Sequence, residues 1–201
     1  CYAQVGKEEL SKDTNIDLII GNNKKKDLIH ILEEHMGEKE SAAESIEVID
    51  IAHDQEYESL HVEQLKEHTR AYIKVQDGCN QFCSYCIIPY ARGPVRSRAK
   101  DDVVREIKEL AHNGFKEIIL VGIHVASYGV DLGDTTLESL IMDVDKIDGV
   151  ERIRLSSIEP MTLNQEFIDS IKDSKKLCHH FHISLQSGCD ETLKRMNRKY
   201  T

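Results

Sequence analysis

From residue 70 onward, short apolar runs alternate four times with helix-like segments, and this alternation limits the fold more than any other feature of the sequence. The predicted strands are residues 71–75, 117–121, 152–155 and 180–185. The predicted helices are residues 101–112, 137–147, 164–173 and 190–198. Apolar strands joined through helices by short connections indicate parallel strands that are covered by helices. The sequence therefore predicts an α/β fold, and both a barrel and a doubly wound open sheet satisfy the pattern.

The residues before this series predict a short α/β piece of their own. The apolar run at 16–20 ends at Gly21, which is typical of a buried strand followed by a turn. Residues 27–36 carry apolar side chains at roughly helical spacing, and Gly37 ends the predicted helix.

The segment at 38–69 is acidic and weakly patterned, which favours a linker between two domains. Residues 33–67 contain twelve acidic residues and two lysines, a balance of −10 that equals the net charge of the whole chain. A short apolar stretch at 46–51 is a candidate strand inside this segment. We therefore expect one unit at residues 1–58 and a second unit at residues 59–201.

The remainder of the chain is neutral and contains two basic clusters. These clusters are Arg92, Arg96, Arg98 and Lys100, and Lys194, Arg195, Arg198 and Lys199. On charge alone, each cluster is as consistent with a solvated face as with a phosphate-rich partner, so an RNA partner is permitted and not required. No apolar run approaches the ~18 residues that a transmembrane helix needs, so no membrane contact is expected.

Three of the six cysteines, Cys79, Cys83 and Cys86, lie within eight residues on the loop after the first strand of the series. Thiolates are soft ligands that select zinc, copper(I) or iron–sulfur clusters. Three sulfurs on so compact a loop can occupy three corners of a cubane cluster, which leaves one iron open for an exogenous molecule. The cysteine pattern does not match a dense disulfide framework, so a reducing cytoplasm is expected.

The cysteines are also compatible with a structural zinc site or a redox-active pair. A structural zinc site normally takes four ligands in two separated pairs, and the sequence has no second CxxC pair. A thioredoxin-like redox pair of Cys83 and Cys86 leaves Cys79 without a role. A cluster is therefore favoured, with a non-catalytic zinc-binding module as the alternative from a different class.

The spacing CxxxCxxC, with the aromatic Tyr85 directly before the last cysteine, resembles the radical S-adenosylmethionine superfamily. The longer string GCNQFCSYCIIPYARGPVRSR at residues 78–98 is similar to the methylthiotransferases of that superfamily. Residues 90–98 are most similar to the tRNA threonylcarbamoyladenosine methylthiotransferases. Further agreement with that group comes from residues 121–129, 152–160 and 182–201.

The resemblance implies a partial radical S-adenosylmethionine (β/α) barrel with parallel strands over residues 59–201, incomplete at its C-terminal end. It implies that residues 1–58 are the end of a small α/β methylthiotransferase N-terminal domain. Three cysteines of that domain hold a second, auxiliary 4Fe-4S cluster, and Cys1 in the string CYAQ matches the third of them. An ordinary small buried residue is the alternative for Cys1. The rest of the N-terminal domain, the last barrel strands and a C-terminal TRAM domain are expected to lie outside this sequence.

The resemblance also implies a reaction, namely methylthiolation of C2 of N6-threonylcarbamoyladenosine at position 37 of tRNA, beside the anticodon. The implied cofactors are S-adenosylmethionine and two 4Fe-4S clusters. The implied partners are the tRNA anticodon loop, a one-electron donor and a sulfur source, all in the cytoplasm. A sister methylthiotransferase that acts on N6-isopentenyladenosine in tRNA, or on a ribosomal protein, is the alternative within the enzymes.

Residues near the ends of the predicted strands are candidate contacts to the cofactor, because functional groups of parallel α/β sheets collect at the carboxyl ends of strands. These candidates are Tyr85, Gly122, Ser157, Glu159, Gln186 and Ser187. Packing, turn and capping roles stay open for these residues.

The first basic cluster supplies three more candidates. Arg92, Arg96 and Arg98 are expected to contact RNA phosphate or the cofactor carboxylate. Cys178 and Cys189 are expected to be core residues, and the histidines, His124 included, are expected to be packed or solvated.

Overall fold

The computed structural model describes residues 1–37, 45–59 and 70–201. Its α-helices in these ranges are α1 Tyr2–Val5, α2 Lys7–Leu10, α3 Leu28–Gly37, α4 Ile88–Arg92, α5 Lys100–His112, α6 Leu137–Asp145, α7 Gln165–Ile171 and α8 Asp190–Arg195. Its strands are β1 Leu18–Ile20, β2 Ser45–Glu47, β3 Arg70–Asp77, β4 Arg96–Ser97, β5 Glu117–Gly122 and β6 Arg152–Leu155. Short 3₁₀ helices occur at Lys25–Asp27, Val125–Ser127 and Pro160–Thr162. Across these ranges, no helix has the length and apolar content that crossing a bilayer demands.

The larger sheet has the strand order β4-β3-β5-β6. β3 runs parallel to β5, with Ala71 opposite Ile118, and β5 runs parallel to β6, with Ile118 opposite Ile153. The predicted α/β fold with parallel strands is therefore confirmed. The sequence does not predict β4, which pairs antiparallel to the end of β3, because two residues are too few to show a period-two pattern.

One continuous apolar core lies between the sheet and the helices α5, α6 and α7. Val103 and Ile107 of α5 and Leu140 and Ile141 of α6 are fully buried. Burial of each side chain of this size stabilises the fold by roughly 1.5–3 kcal/mol. All four helices of the predicted series are present as α5 to α8. The first ends as predicted, and the other three end earlier than predicted.

The predicted fourth strand, at 180–185, is wrong as a regular buried strand. The segment makes one isolated parallel bridge, between Ile183 and Ile158, and a second bridge, between Leu177 and Ile153 of β6, lies just before it. Ile158 donates its N–H to the His182 carbonyl oxygen at 3.0 Å and accepts from the Ser184 N–H at 2.9 Å. Its backbone contacts to the β6 side of the sheet are confined to these bridges, and Ile183 is 43% exposed. The apolar run therefore forms an exposed edge rather than a core strand.

The N-terminal residues form a separate two-stranded parallel sheet of β1 and β2. The strand predicted at 16–20 and the helix predicted at 27–36 are confirmed as β1 and α3, with slightly different ends. The candidate strand at 46–51 is confirmed only for residues 46 and 47, which lie in β2. Ile51 lies beyond the strand and is buried.

The predicted acidic linker lies partly outside the described residues, at 38–44 and 60–69. Its described part, residues 45–59, packs against other segments of the same chain. Glu58 is buried, and the Tyr57 hydroxyl donates to the Lys74 carbonyl oxygen of β3 at 2.7 Å. The expected domain boundary after Glu58 stays a prediction.

Candidate functional site

The cysteine loop, residues 78–86, begins where β3 ends, at the carboxyl edge of the sheet. Gly78 has φ +71°, and a β-carbon there would lie 1.7 Å from the carbonyl oxygen of Pro94. Glycine avoids both the clash and the left-handed strain. The next residue, Cys79, donates its N–H to the Gly93 carbonyl oxygen at 3.1 Å. The residue type at position 78 therefore fixes how the loop leaves the strand.

The thiols of Cys79, Cys83 and Cys86 are free and half-buried on this loop. Burial raises the pKa of the Cys79 thiol, and the nearby Cys83 and Cys86 raise it further because a negative charge on either disfavours the Cys79 thiolate. A bound cation relieves such repulsion, and soft thiolate donors suit an iron–sulfur cluster. The donor set therefore fits a cluster. In residues 1–37, 45–59 and 70–201, no three His, Cys, Asp or Glu side chains converge as they do around one metal ion.

The residues that follow α8 hold the cysteine loop from the opposite end of the sequence. The Ser84 N–H donates to the Met196 carbonyl oxygen at 3.1 Å. The Asn197 side-chain amide donates to the Phe82 carbonyl oxygen at 2.8 Å. Phe82 and Asn197 both have positive φ, +50° and +56°, which is uncommon for residues other than glycine. The conformation of the loop therefore depends on contacts that are remote in sequence.

Arg198 extends this contact to one of the sulfurs. Its Nη1 donates to Cys83 Sγ at 3.0 Å, and its Nη2 forms an ion pair with Glu159 Oε1. Burial opposes the guanidinium charge, but hydrogen bonds to Cys83 and Tyr200 and the charge of Glu159 raise the pKa of Arg198. Arg198 therefore stays cationic beside the loop thiols.

Glu159, on the loop after β6, is held between Arg198 and His124. Its Oε2 lies 3.4 Å from His124 Nε2, and its side chain is 8% exposed. The nearby imidazole of His124 lowers the pKa of Glu159, burial opposes the shift, and Arg198 lowers it further. The other ring nitrogen, His124 Nδ1, lies 2.5 Å from Ser127 Oγ. The carboxylate of Glu159, a predicted site residue, is therefore linked to the cysteine loop through Arg198.

Gly122 ends β5 against a buried side chain of β3. A β-carbon at Gly122 would lie 2.8 Å from Gln76 Oε1. Gln76 accepts from the His124 N–H at 2.8 Å and donates to the Gly78 carbonyl oxygen at 2.7 Å. Gln76 therefore ties the end of β5 to the start of the cysteine loop, and Gly122 is needed for close approach.

The remaining candidate cofactor contacts lie on the cysteine loop, on the loop after β6 and after the edge segment. The Tyr85 hydroxyl donates to Gln186 Oε1 at 3.1 Å, which brings these two candidates together across the cysteine loop. Ser157 Oγ lies 2.7 Å from His182 Nδ1. Ser187 Oγ accepts from the Cys189 N–H at 3.1 Å, which is a local turn contact.

Arg92 lies between the two groups of cysteines. Its Nε donates to Cys1 Sγ at 3.3 Å, and its Nη1 lies 3.5 Å from Asp77 Oδ2. Burial opposes ionisation of Asp77, but Lys74 and Arg92 hold its pKa below the ordinary value. Cys1 is exposed, and its role as a cluster ligand stays a prediction.

Arg96 and Arg98, which were expected to contact RNA phosphate or the cofactor carboxylate, are both buried against other parts of the protein, and the expected contacts stay a prediction. Arg96 is 1% exposed, and its Nη2 lies 3.4 Å from Asn23 Oδ1 in the N-terminal unit. Arg98 is 5% exposed and forms an ion pair with Glu106 of α5. A buried guanidinium is costly unless it is paired or hydrogen-bonded. Within the part of the chain that the structure describes, Arg98 has a carboxylate partner, Arg96 has only hydrogen bonds to Asn23 and the Pro94 carbonyl oxygen, and the Nε of each arginine has no partner.

Two further expectations need correction. Cys189 is exposed and precedes α8, where hydrogen bonds from Thr192 lower the pKa of its thiol, while Cys178 is half-buried. His124 was expected to be packed or solvated, and its side chain contacts the carboxylate of Glu159. In the sequence, Arg198 is one of four residues of the second basic cluster. Only its contact with Cys83 in the fold distinguishes it from the other three.

Comparison with known proteins places this geometry in a family. The radical SAM superfamily, named for S-adenosylmethionine (SAM), matches residues 73–201. A threonylcarbamoyladenosine tRNA methylthiotransferase (MtaB) of Aquifex aeolicus is 41% identical over 201 residues, which is 100% of this chain and 48% of the relative. A tRNA-2-methylthio-N(6)-dimethylallyladenosine synthase of Thermodesulfovibrio yellowstonii is 40% identical over 202 residues, which is 100% of this chain and 44% of the relative. The chain therefore spans less than half the length of these curated relatives.

Solved structures agree at the level of the fold. The cobalamin-dependent S-adenosylmethionine radical enzyme OxsB superposes with a TM-score of 0.55 at 14% identity, over 90% of this chain and 29% of that chain. The radical S-adenosylmethionine methyltransferase TsrM from Kitasatospora setae gives a TM-score of 0.52 at 19% identity, over 66% of this chain and 26% of that chain. The superfamily match covers more than half of the sequence and includes the cysteine loop and the parallel strands. This chain therefore belongs to the radical SAM superfamily.

Proposed function

We propose that this chain belongs to a radical SAM methylthiotransferase that modifies tRNA in the cytoplasm. The observation that carries the proposal is the set of three free thiols, Cys79, Cys83 and Cys86, on one loop at the carboxyl end of a parallel strand. Relatives that carry this activity in their names match the whole chain at 41% and 40% identity, which supports it.

Cys79, Cys83 and Cys86 would hold a 4Fe-4S cluster. With SAM bound, such a cluster supplies one-electron cleavage of a carbon–sulfur bond, and the protein supplies orientation and exclusion of water. Cys1 would be the third ligand of an auxiliary 4Fe-4S cluster in the full-length protein. The 3.3 Å contact from Arg92 to Cys1 Sγ supports that role, because a cationic donor stabilises a thiolate.

Side chains around the loop would orient SAM. Glu159 carries a negative charge at neutral pH because His124 and Arg198 hold its pKa low, so it can accept hydrogen bonds from ribose hydroxyls or an ammonium group. Ser157, on the same loop, offers a hydroxyl that is already within 2.7 Å of a histidine. Gly122 leaves backbone accessible where a side chain would intrude.

Tyr85, Gln186 and Ser187 are proposed to line the adenine end of the same cofactor. Tyr85 and Gln186 are hydrogen-bonded to each other at 3.1 Å, and Tyr85 is 57% exposed, so its ring can present a flat face to a base. Ser187 is the neighbour of Gln186 and would contribute its hydroxyl.

The proposed substrate is N6-threonylcarbamoyladenosine at position 37 of tRNA, with a methylthio group added at C2. A base in an anticodon loop is partly unstacked, so little free energy is needed to present it to a recessed site. The reaction also requires a one-electron donor and a sulfur source. Two members of the first basic cluster remain accessible to an RNA phosphate, namely Arg92, whose side chain is 26% exposed, and Lys100, whose side chain is 30% exposed.

The alternative substrate is N6-isopentenyladenosine in tRNA. It is retained because the synthase of Thermodesulfovibrio yellowstonii, whose name gives N(6)-dimethylallyladenosine, is nearly as similar as the threonylcarbamoyladenosine enzyme, at 40% against 41% identity.

Mass spectrometry of tRNA nucleosides tests the proposal. A strain that lacks the gene for the full-length protein is compared with its parent and with strains complemented by wild type, Cys79→Ala or Cys178→Ala. We expect 2-methylthio-N6-threonylcarbamoyladenosine to disappear in the deletion strain and in the Cys79→Ala strain, and to return with wild type and Cys178→Ala. Persistence of that nucleoside in the deletion strain contradicts the substrate, and loss of the isopentenyl derivative instead supports the alternative.

A further inference from the structure

A series of largely buried polar side chains, His124, Glu159 and Arg198, ends at the cysteine loop. Arg198 Nη1 donates to Cys83 Sγ at 3.0 Å, although the two residues are 115 positions apart. Arg198 also forms an ion pair with Glu159, and the two side chains are 7% and 8% exposed. A charge this deeply buried is costly unless it is paired, so the contact is a built feature of the fold.

The guanidinium of Arg198 is restrained on its other sides as well. Its Cζ lies 5.2 Å from the centre of the Tyr200 ring. Glu159, its ion-pair partner, is fixed in turn by His124 at 3.4 Å. Because the guanidinium is planar and presents its donors in a rigid fork, binding Glu159 through one nitrogen directs another nitrogen at Cys83.

A cationic donor on a cluster sulfur has a predictable effect. One-electron reduction adds a negative charge to the cluster, and a nearby positive charge stabilises the reduced form more than the oxidised form. Hydrogen bonds to the sulfurs and burial are known determinants of iron–sulfur potentials. The low dielectric of a buried site strengthens the effect, and the carboxylate of Glu159 opposes it.

We propose that Arg198 is a positioning residue that raises the reduction potential of the cluster on the cysteine loop, and that Glu159 limits the rise by partly neutralising the guanidinium. The inference rests on the proposed function in one respect, that Cys79, Cys83 and Cys86 hold the cluster.

A redox titration of the full-length protein tests it. The protein is reconstituted anaerobically with iron and sulfide, and the one-electron reduction by dithionite is followed by electron paramagnetic resonance without SAM. In Arg198→Met we expect the reduced-to-oxidised ratio at a fixed potential to fall at least tenfold, which is about 59 mV for a one-electron couple. Arg198→Lys keeps a positive charge without the fork, so a smaller fall is expected. Glu159→Gln should shift the potential upward.

Arg195→Met is the matched control, since Arg195 is exposed at the end of α8, three residues before Arg198. Its potential should equal that of wild type. An unchanged potential in Arg198→Met at full iron content, or an equal fall in Arg195→Met, overturns the inference. If Arg198→Met does not fold, Arg198→Lys and Glu159→Gln decide, and the absence of opposite shifts overturns it. If the wild-type protein assembles no cluster, the proposed function is overturned as well. If the wild-type protein assembles a cluster but these substitutions leave its reduction potential unchanged, this inference alone is overturned.

Discussion

Replacing Gly78 with alanine places a β-carbon where the backbone of the cysteine loop leaves no room. The residue has φ +71°, and the new carbon would lie 1.7 Å from the Pro94 carbonyl oxygen and 2.7 Å from that of Gly93. The left-handed conformation costs an L-residue roughly 1–2 kcal/mol. The two backbones must also separate, which breaks the hydrogen bond from Cys79 to Gly93 and costs about 0.5–1.5 kcal/mol more. We expect a loss of about 1.5–3.5 kcal/mol in the free energy of unfolding and a displaced cysteine loop.

Gly114→Ala is the matched control. Gly114 also has a positive φ, +94°, but a β-carbon there meets no atom within 4 Å. It should lose only the roughly 1–2 kcal/mol of conformational strain. Urea denaturation gives the stability of both full-length variants, and iron per chain after anaerobic reconstitution gives the state of the loop. We expect Gly114→Ala to bind as much iron as wild type and Gly78→Ala to bind less. Equal stability and equal iron content in the two variants would refute the reasoning.

Three further predictions concern the fold that carries the site. Glu106→Gln leaves the buried Arg98 without its counter-ion and should cost about 3–5 kcal/mol in urea denaturation, and a loss below about 1 kcal/mol would show the pair to be unimportant. Thr136→Ala removes the side chain that caps α6 and should cost about 1 kcal/mol, and an unchanged denaturation midpoint would contradict the cap. A hydrogen bond from Arg152 holds the pKa of Glu117 below its ordinary value of 4.5. The ionised carboxylate therefore stabilises the fold above pH 4.5, and this stabilisation is lost as the pH falls through the lower pKa of the folded state. The stability gap between wild type and Glu117→Gln should therefore close in acid, and a gap that widens there would be incompatible with this ion pair.

The sequence predicts the parallel sheet and the cysteine loop because both depend on local pattern. Apolar runs such as residues 117–121 become buried strands wherever helices cover them, and α5 supplies that cover through Val103 and Ile107. The run at 180–185 also contains apolar residues, but it bridges to only one side of the sheet, so it forms an exposed edge. Burial of a strand depends on its neighbours, which its own sequence does not specify.

Charged site residues are harder to predict for a related reason. Arg92, Arg96 and Arg98 form one cluster in the sequence, but the fold turns Arg98 onto Glu106 and buries Arg96 against the N-terminal unit. Arg198 lies 115 residues from the sulfur that it contacts. The partner of a buried charge is set by the tertiary fold, so charge clustering along the chain reveals neither burial nor pairing.

The cysteine loop is the central claim, and cleavage of SAM measures it most directly. The full-length protein is reconstituted anaerobically with iron and sulfide, reduced, and assayed for 5′-deoxyadenosine beside a variant with Cys79, Cys83 and Cys86 all changed to alanine. Cys178→Ala, which alters a half-buried cysteine away from the loop, is the control. We expect 5′-deoxyadenosine from wild type and from Cys178→Ala, and none from the triple variant. Undiminished 5′-deoxyadenosine from the triple variant would contradict the account.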